Sequence, residues 1–219
     1  MASRSDFESL SLSNPNEPSM SSTSTAPTNT VATPNLRDLQ SFGITFWFQQ
    51  EGYIYGVFQR SISRTKDDEK IDPFRGKLHP EAVAAGEKKK DLAIRKTFEE
   101  SLGVFNFKGG DKYLTKIVKD ENYEGGIFQV FIEVQDTPNI IAAINSRYQA
   151  NKTSAVFADP KYSSTSGIAC VPCGSGVAFE GVRLTKQTKD IIYQVGAMMD
   201  KIPRVQMQLN SNGTFVIVN

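Results

Sequence analysis

The residues best suited to chemistry lie between Phe74 and Val104. A loop runs from Gly76 to Glu87, and a helix-compatible run then carries the adjacent pair Glu99 and Glu100. Two neighbouring carboxylates on a helix, opposite a glycine-containing turn, form an oxygen-rich cage of the kind that holds Mg²⁺ and a chain of phosphates. The segment therefore indicates a site for a pyrophosphate-containing molecule.

In its spacing, this segment resembles the signature box of the Nudix hydrolase family. That box reads Gly, five residues, Glu, seven residues, and then Arg-Glu-apolar-x-Glu-Glu-x-Gly-apolar. Here seven residues separate Glu87 from Arg95, and Glu99 and Glu100 follow where the paired glutamates of the box belong. The box covers about residues 76–104, and the order of the flanking elements extends the resemblance to about residues 42–199.

The segment departs from the family box in three places. Ten residues separate Gly76 from Glu87, the glycine after the glutamate pair comes one residue late at Gly103, and Lys96 stands where the box has a glutamate. Shifting the register by one residue restores Gly103 but leaves Glu100 as the only box glutamate on the helix. Either register lacks at least one carboxylate, so the box is degenerate.

The resemblance implies a Mg²⁺- or Mn²⁺-dependent hydrolase of nucleoside diphosphates linked to another group. It implies that Glu99 and Glu100 bind the metal, that Glu87 belongs to the outer part of the metal site, and that Arg95 braces the helix against the loop. Lys96 cannot replace the missing glutamate that would act as the catalytic base, because its ammonium is charged at neutral pH and repels a metal ion.

Other residues would complete such a site. Glu133 or Asp136, at the end of the run GIFQVFIEV, is a substitute for the missing base. Gly76, Lys77 and His79 belong to the loop that would face the phosphates. Gly76 would offer its backbone, and His79 would donate to an anion or act as a base.

Trp47 lies in an aromatic run before the box and is a candidate for stacking on a nucleobase. The same run, residues 42–60, reads as two strands joined at the turn-like Gln50-Glu51-Gly52, because aromatic and β-branched residues dominate it. Residues 112–119 and 126–134 read as further strands. A late helix is predicted from apolar residues at helical spacing, with Thr185 or Thr188 as its cap: Ile191, Ile192, Val195 and Met198.

This order of elements predicts an α/β fold, a Nudix-like α/β/α sandwich with a mixed sheet. Residues 1–35 are rich in Ser, Thr, Asn and Pro and are predicted to form a disordered tail, since they contain few core-forming groups. Residues 36–219 are predicted to form one domain. It would end in a hairpin over residues 204–219 with an Asn-Gly turn, and the strand Phe215–Val218 would complete the chain's own sheet or pair with a second chain.

Composition narrows the function classes. With a net charge of +1, the chain has no general attraction to nucleic acid or to an anionic membrane. No apolar run approaches the ~20 residues that span a bilayer, and the N-terminus lacks the pattern of a secretory signal. The sequence therefore predicts an intracellular protein of the cytoplasm or nucleus.

Cys170 and Cys173 form a single Cys-x-x-Cys motif. This spacing is found in redox pairs and in half of a zinc site. A structural zinc ion needs four ligands, and the chain has no second cysteine pair. Two reduced thiols in a loop are therefore favoured over a redox pair and over zinc.

Three function classes fit the sequence. The first is a Nudix-fold protein that is inactive or weakly active and binds a nucleotide, RNA or a protein partner. The second is the Mg²⁺-dependent hydrolase, and the third is a structural subunit of a virus or another assembly, suggested by the Ser/Thr-rich arm and the β-rich body. The missing carboxylates favour binding without catalysis, because a fold does not carry an activity with it.

Overall fold

A computed structural model describes residues 40–62, 69–119, 125–159, 165–174 and 183–218. The predicted tail, residues 1–35, lies outside them. The described strands are β1 Ser41–Gln50, β2 Tyr53–Ile62, β3 Glu69–Asp72, β4 Phe74–Lys77, β5 Phe105–Asn106, β6 Ile117–Lys119, β7 Gly125–Gln135, β8 Thr165–Pro172, β9 Arg183–Leu184, β10 Arg204–Leu209 and β11 Phe215–Ile217. The described α-helices are α1 Pro80–Ala84, α2 Lys89–Glu100, α3 Ile140–Lys152 and α4 Lys186–Gly196.

The strands form one mixed sheet around the parallel pair β1 and β7. The first half of β1 pairs with β4 and its second half with β2, both antiparallel. In the same way, β7 pairs first with β6 and then with β10. Both central strands therefore change partners midway, and the sheet divides there. This mixture of parallel and antiparallel pairs confirms the predicted mixed sheet.

The turn between β1 and β2 is where the sequence places it. Gln50 pairs with Tyr53, which leaves Glu51 and Gly52 as a two-residue loop. Both loop residues have positive φ, 53° and 82°. This is the geometry of a type I′ turn, whose twist matches that of the strands it joins.

Helices cover both faces of the sheet. On one face, side chains of β1 pack with residues of α2 and α3, including Leu92 and Ile144. On the other face, Trp47 and Phe58 pack with Ile191 and Val195 of α4. The central strand β7 is buried on both faces, as expected for a strand between two helical layers. No helix in the described ranges is long and apolar enough to cross a membrane.

The C-terminal hairpin completes the chain's own sheet. β10 lies between β7 and β11, and β11 lies between β10 and β5. The predicted two-residue turn is wrong in one respect. The N–H of Asn210 donates to the carbonyl of Thr214 (3.0 Å), which closes a three-residue loop. Gly213, with φ of 74°, takes the left-handed position that such a loop needs.

Other elements differ from the sequence predictions. Only residues 117–119 of the run 112–119 form a strand, and the residues before them include a short 3₁₀ helix, Asp111–Tyr113. Helices α1 and α3 and strands β3, β4, β5, β8 and β9 have no counterpart in the sequence predictions. Helix α4 was predicted, and its cap is Thr185, whose hydroxyl accepts from the N–H of Thr188 at 3.3 Å.

Candidate functional site at the degenerate box

Helix α1 explains the extra residues between Gly76 and Glu87. The inserted residues form this short helix, and Gly86 follows it with φ of 90°. The N–H of Gly86 donates to the carbonyl of Val83, and that of Glu87 donates to Ala82. This pair of bonds is a Schellman motif, in which a left-handed glycine ends a helix. The insertion is thus a capped helical turn that delivers Glu87 to the start of α2.

Helix α2 carries the remaining box residues. It begins after Lys88, whose backbone N–H donates to the carboxylate of Asp91 at 3.1 Å. Its buried residues include Leu92 and Ala93, which belong to the core beneath the helix. The helix ends before Leu102, which has a positive φ of 50° although it is not a glycine. The family box places a glycine there, so this turn is formed with an unfavourable residue type.

Arg95 connects the two ends of the box. Its Nε and Nη2 atoms donate to the two carboxylate oxygens of Glu87, at 2.7 and 3.0 Å. Its Nη1 atom donates to Oε1 of Glu99 at 2.9 Å. The hydrogen bonds that Arg95 donates to Glu87 raise the pKa of Arg95, and the bond to Glu99 and both carboxylate charges act in the same direction, against the lowering effect of burial. Arg95 therefore links Glu87, which precedes helix α2, to Glu99 near the end of that helix.

Lys96 uses the other oxygen of Glu99. Its ammonium lies 2.7 Å from Oε2 of that carboxylate. Partial burial alone would raise the pKa of Glu99, but the hydrogen bonds from Lys96 and Arg95 outweigh it and lower the pKa. The carboxylate is therefore ionised and holds one cation on each oxygen.

Glu100 points to strand β4. Its Oε2 atom accepts the backbone N–H of Arg75 at 2.8 Å. Removal from water raises the pKa of Glu100 to about 8, against the opposing effects of the Arg75 N–H and the charge of Lys96. At neutral pH this carboxyl is mostly protonated. A protonated carboxyl is a poor ligand for a hard cation.

These donors do not fit a divalent cation. Both oxygens of Glu99 and both of Glu87 hold cationic side chains, and the carboxyl of Glu100 is mostly neutral. In the described part of the chain, no three Asp, Glu, His or Cys residues gather as a metal-holding group. Of the residues expected to hold Mg²⁺ or Mn²⁺, Glu87 and Glu99 are joined through Arg95, whereas Glu100 accepts the backbone N–H of Arg75.

One cavity beside helix α2 has Arg95 in its lining but none of the box glutamates. It has a volume of about 430 Å³ and lies along α2 on the side of Arg95. Its lining includes Ile94, Phe98 and Lys108 but none of the three box glutamates. A molecule held there would contact helix α2 and residues 106–111 rather than the three glutamates.

The loop residues are distributed over strand β4 and the start of helix α1. Gly76 lies in β4, opposite Phe42 of β1, and the stem of Lys96 lies against it. Lys77 ends the same strand, and His79 is exposed at the residue before α1. The residues expected to form a loop at Gly76 are therefore the end of strand β4, and the short helix α1 follows them.

Trp47 belongs to the core and has no ring face open to a ligand. It is 0% exposed, and its Nε1–H donates to Oε1 of Gln129 at 2.8 Å. Phe58 meets its ring edge-on at 6.1 Å. The prediction that Trp47 stacks on a nucleobase is therefore wrong. Side chains alternate between the two faces along a strand, and that of Trp47 points to the face covered by α4.

Glu133 and Asp136 lie far from the box along the sheet. Phe42 pairs with both Gly76 and Gly126, and Glu133 comes seven residues after Gly126 in β7. At ~3.3 Å per residue this separation is about 23 Å. Glu133 pairs instead with Arg204 at 2.9 Å, and the exposed Asp136 follows the end of β7. Neither residue is positioned to replace the missing base.

Cys170 and Cys173 are both free thiols on opposite faces of the sheet. Cys170 packs with the core beneath α2 and α3, whereas Cys173 packs with the core beneath α4. Residues three apart in extended chain point to opposite sides. Burial raises the pKa of both thiols, that of Cys170 to about 12. The two sulfur atoms are placed as neither a redox pair nor a shared zinc site.

The sequence reasoning missed a second polar site, a groove between β8 and α3. Its lining includes Arg60, Glu69, Asn145 and Gln149, and its volume is about 380 Å³. Asn145 and Gln149 are four residues apart in the chain, so a helix prediction for this segment would have placed them on one face.

The sequence matches no protein-family model and shows no significant similarity to a curated protein.

Proposed function

We propose that this chain is a binding domain with a Nudix-like box that no longer supports metal-dependent hydrolysis. One observation carries the proposal: Glu99 holds Arg95 on one oxygen and Lys96 on the other. The ammonium of Lys96 supplies the positive charge that a metal would otherwise bring to this carboxylate. The domain then acts by binding a nucleotide, RNA or a protein partner.

The neighbouring carboxyls support the same conclusion. Glu87 is held by Arg95 through two hydrogen bonds, which is the strongest common arrangement of an arginine and a carboxylate. Glu100 is mostly protonated at neutral pH and already accepts an N–H from β4. A metal ion would have to displace a cation or a proton at each of these residues.

Titration calorimetry with MnCl₂ tests this proposal. We expect no binding to the native protein and binding to Lys96→Glu, because that substitution removes a cation and adds a carboxylate beside Glu99. Lys89→Glu is the matched control. It makes the same change of charge at an exposed position of the same helix and is expected to leave metal binding absent.

Turnover separates this proposal from the hydrolase. One observation favours the hydrolase: Arg95 joins helix α2 to Glu87 just before it, as a bracing arginine would. With a nucleotide sugar or a dinucleotide polyphosphate, we expect native turnover far below the ~10 s⁻¹ of a typical enzyme. Native turnover near that value, with Mn²⁺ bound, would replace the binding proposal by the hydrolase.

A further inference from the structure

Strand β8 forms an edge of the described sheet. It pairs with β2 on one side, from Tyr55 opposite Pro172 to Ser61 opposite Thr165. Among the described residues no strand pairs with its other side. An edge of this kind presents unpaired N–H and C=O groups and can pair with another extended segment.

The register shows which backbone groups of β8 point outward. The N–H of Cys173 donates to the carbonyl of Ile54 at 2.6 Å, so this pair is hydrogen-bonded. Hydrogen-bonded and non-bonded pairs alternate in an antiparallel ladder. Val171 and Ala169 therefore bond to β2, whereas Cys170 and Ile168 direct their N–H and C=O away from it.

Neither outward residue bonds to another element within the described residues. Ile168 and Cys170 each offer one donor and one acceptor, about 7 Å apart at ~3.4 Å per residue. Pro172, the next outward residue, has no N–H, which is the usual place for proline in an edge strand. This spacing is complementary to the backbone of an added strand.

Helix α3 forms the opposite wall of a groove along this edge. Ile141, Asn145 and Gln149 lie one turn apart and line the cavity of about 380 Å³ with residues 166–170 of β8. The row of three spans about 12 Å at ~1.5 Å per residue. The groove therefore has room for about four residues of extended chain. The side-chain amides of Asn145 and Gln149 bond to no other residue of the described part.

The end of the groove near Ser166 is positively charged. Arg60 pairs with Glu69 at 3.2 Å, and Ser166 donates to the other oxygen of that glutamate. Lys152 lies at the same end, with Nζ 3.4 Å from the carbonyl of Ser166. Arg60 and Lys152 against Glu69 give this end a net charge of +1, and of the two cations Lys152 is the exposed one.

We propose that this groove binds a partner protein through an extended segment that adds to β8 as an antiparallel strand, with an acidic residue at its carboxyl end. The antiparallel direction brings that end to Lys152, and antiparallel pairing is the more stable arrangement per residue. Strand addition supplies affinity through the backbone, and the side chains supply specificity. The inference rests on the proposed binding function and names its partner class.

Fluorescence anisotropy of a labelled, acetylated peptide Thr-Val-Thr-Val-Glu with the full chain tests this inference. We expect a Kd below about 1 mM. A peptide that ends in lysine is expected to bind about tenfold more weakly, and Lys152→Glu is expected to reverse this order. Methylating the peptide nitrogens on the edge that faces β8 should abolish binding, and methylating those on the other edge should not.

Asn145→Trp should block the groove, since Asn145 is exposed on its wall. Ser146→Trp is the matched control, because Ser146 is exposed on the same helix but does not line the groove. Hydrogen exchange provides a second readout. Bound peptide should slow exchange at Ile168 and Cys170, whereas Ala169, which already bonds to β2, should change little.

Three results would overturn the inference: no binding of the glutamate peptide at about 1 mM, equal binding to Asn145→Trp and the native chain, or unchanged exchange at Ile168 and Cys170. Binding of labelled oligouridylate but not of the peptide would also overturn it, in favour of RNA. Metal binding at the box is measured separately with Lys96→Glu, so the proposed function and this inference can fail independently.

Discussion

Lys96 lies across the backbone of Gly76 so closely that a Cβ atom added to the glycine would fall 2.3 Å from Cγ of the lysine. The same lysine extends its ammonium to Glu99. One side chain thus joins strand β4 to helix α2 and occupies one oxygen of a box carboxylate. The close packing of the Lys96 stem, rather than the approach of a phosphate, explains why position 76 needs a residue without a side chain.

Gly76→Ala should therefore destabilise the protein through Lys96. The new methyl group displaces the stem of the lysine and separates its ammonium from Glu99. We expect a loss of about 1–2 kcal/mol in the free energy of unfolding, from the ion pair and from the packing of the stem. Urea denaturation measures this change.

A double-mutant cycle identifies the cause of that loss. In a Lys96→Ala background the obstructing stem is absent, so Gly76→Ala should change stability by less than about 0.5 kcal/mol. An equal loss in both backgrounds would show that the alanine strains β4 itself and that the contact with Lys96 is incidental.

Glu100→Gln should make the protein more stable at alkaline pH. The pKa of Glu100 is raised in the folded state, from the ordinary 4.5 to about 8, so the fold favours the protonated carboxyl. Its stabilising effect is therefore complete below pH 4.5 and is lost as the pH rises from 4.5 to about 8. Glutamine stays neutral and still accepts the N–H of Arg75. The advantage of the variant should grow between these two values by up to about 1.4 kcal/mol per pH unit.

Glu99→Gln is the matched control, because its expected effect has the opposite sign. The pKa of Glu99 is lowered in the folded state, so its ionised form stabilises the fold above its ordinary pKa, and this contribution disappears on acidification. Thermal unfolding of both variants from pH 4 to pH 9 would compare them. A Glu100→Gln variant that is no more stable than the native chain at pH 9 would contradict the burial of this carboxyl.

The contacts of the box show what the sequence determines locally. The contact of Arg95 with Glu99 is local, because residues four apart meet on a helix, and Glu87 lies only two residues before the helix begins. The protonated state of Glu100 depends on burial against β4. The long-range packing of Lys96 on Gly76 likewise cannot be inferred from spacing along α2 alone.

The same distinction holds for the fold. The β1–β2 hairpin and the cap at Thr185 follow from local chemistry, a left-handed Gly52 and a hydroxyl before a helix. Helix α3 has no strong helical pattern in the sequence, because five consecutive apolar residues, 140–144, open it and mostly polar residues follow. Trp47 was misplaced because an aromatic residue in an alternating strand gives no indication of which face another helix covers.

Oxidation should not join Cys170 to Cys173. Their side chains pack in different cores on opposite faces of the sheet. The raised pKa of each thiol also leaves little thiolate at neutral pH, so alkylation by iodoacetamide should be slow at pH 7 and slower at Cys170 than at an unburied cysteine. Mass spectrometry of the folded protein after treatment with diamide should show no loss of two hydrogens. An intramolecular disulfide formed without unfolding would mean that residues 170–173 are arranged differently.

Phe215→Ala should destabilise the protein severely without changing its association state. Phe215 is fully buried and stacks on Phe105 with ring centroids 5.4 Å apart. Replacing a buried phenylalanine by alanine typically costs about 3–5 kcal/mol, through lost burial and the cavity that remains. That is a large part of the ~5–15 kcal/mol by which a domain is stable. Gln208→Ala, at an exposed position of the same hairpin, should shift the unfolding midpoint little.

Sedimentation velocity of both variants distinguishes a sheet within one chain from pairing between chains. β11 lies between β10 and β5 of its own chain, so both variants should sediment as the native protein does wherever they remain folded. If Phe215→Ala left stability unchanged and converted an oligomer into a folded monomer, the hairpin would pair with a neighbouring chain. If the sheet lies within one chain, Phe215→Ala lowers the denaturation midpoint and leaves the sedimentation coefficient of the folded protein unchanged. If the hairpin pairs with another chain, the midpoint stays the same and the sedimentation coefficient falls. The two measurements together therefore decide between the arrangements.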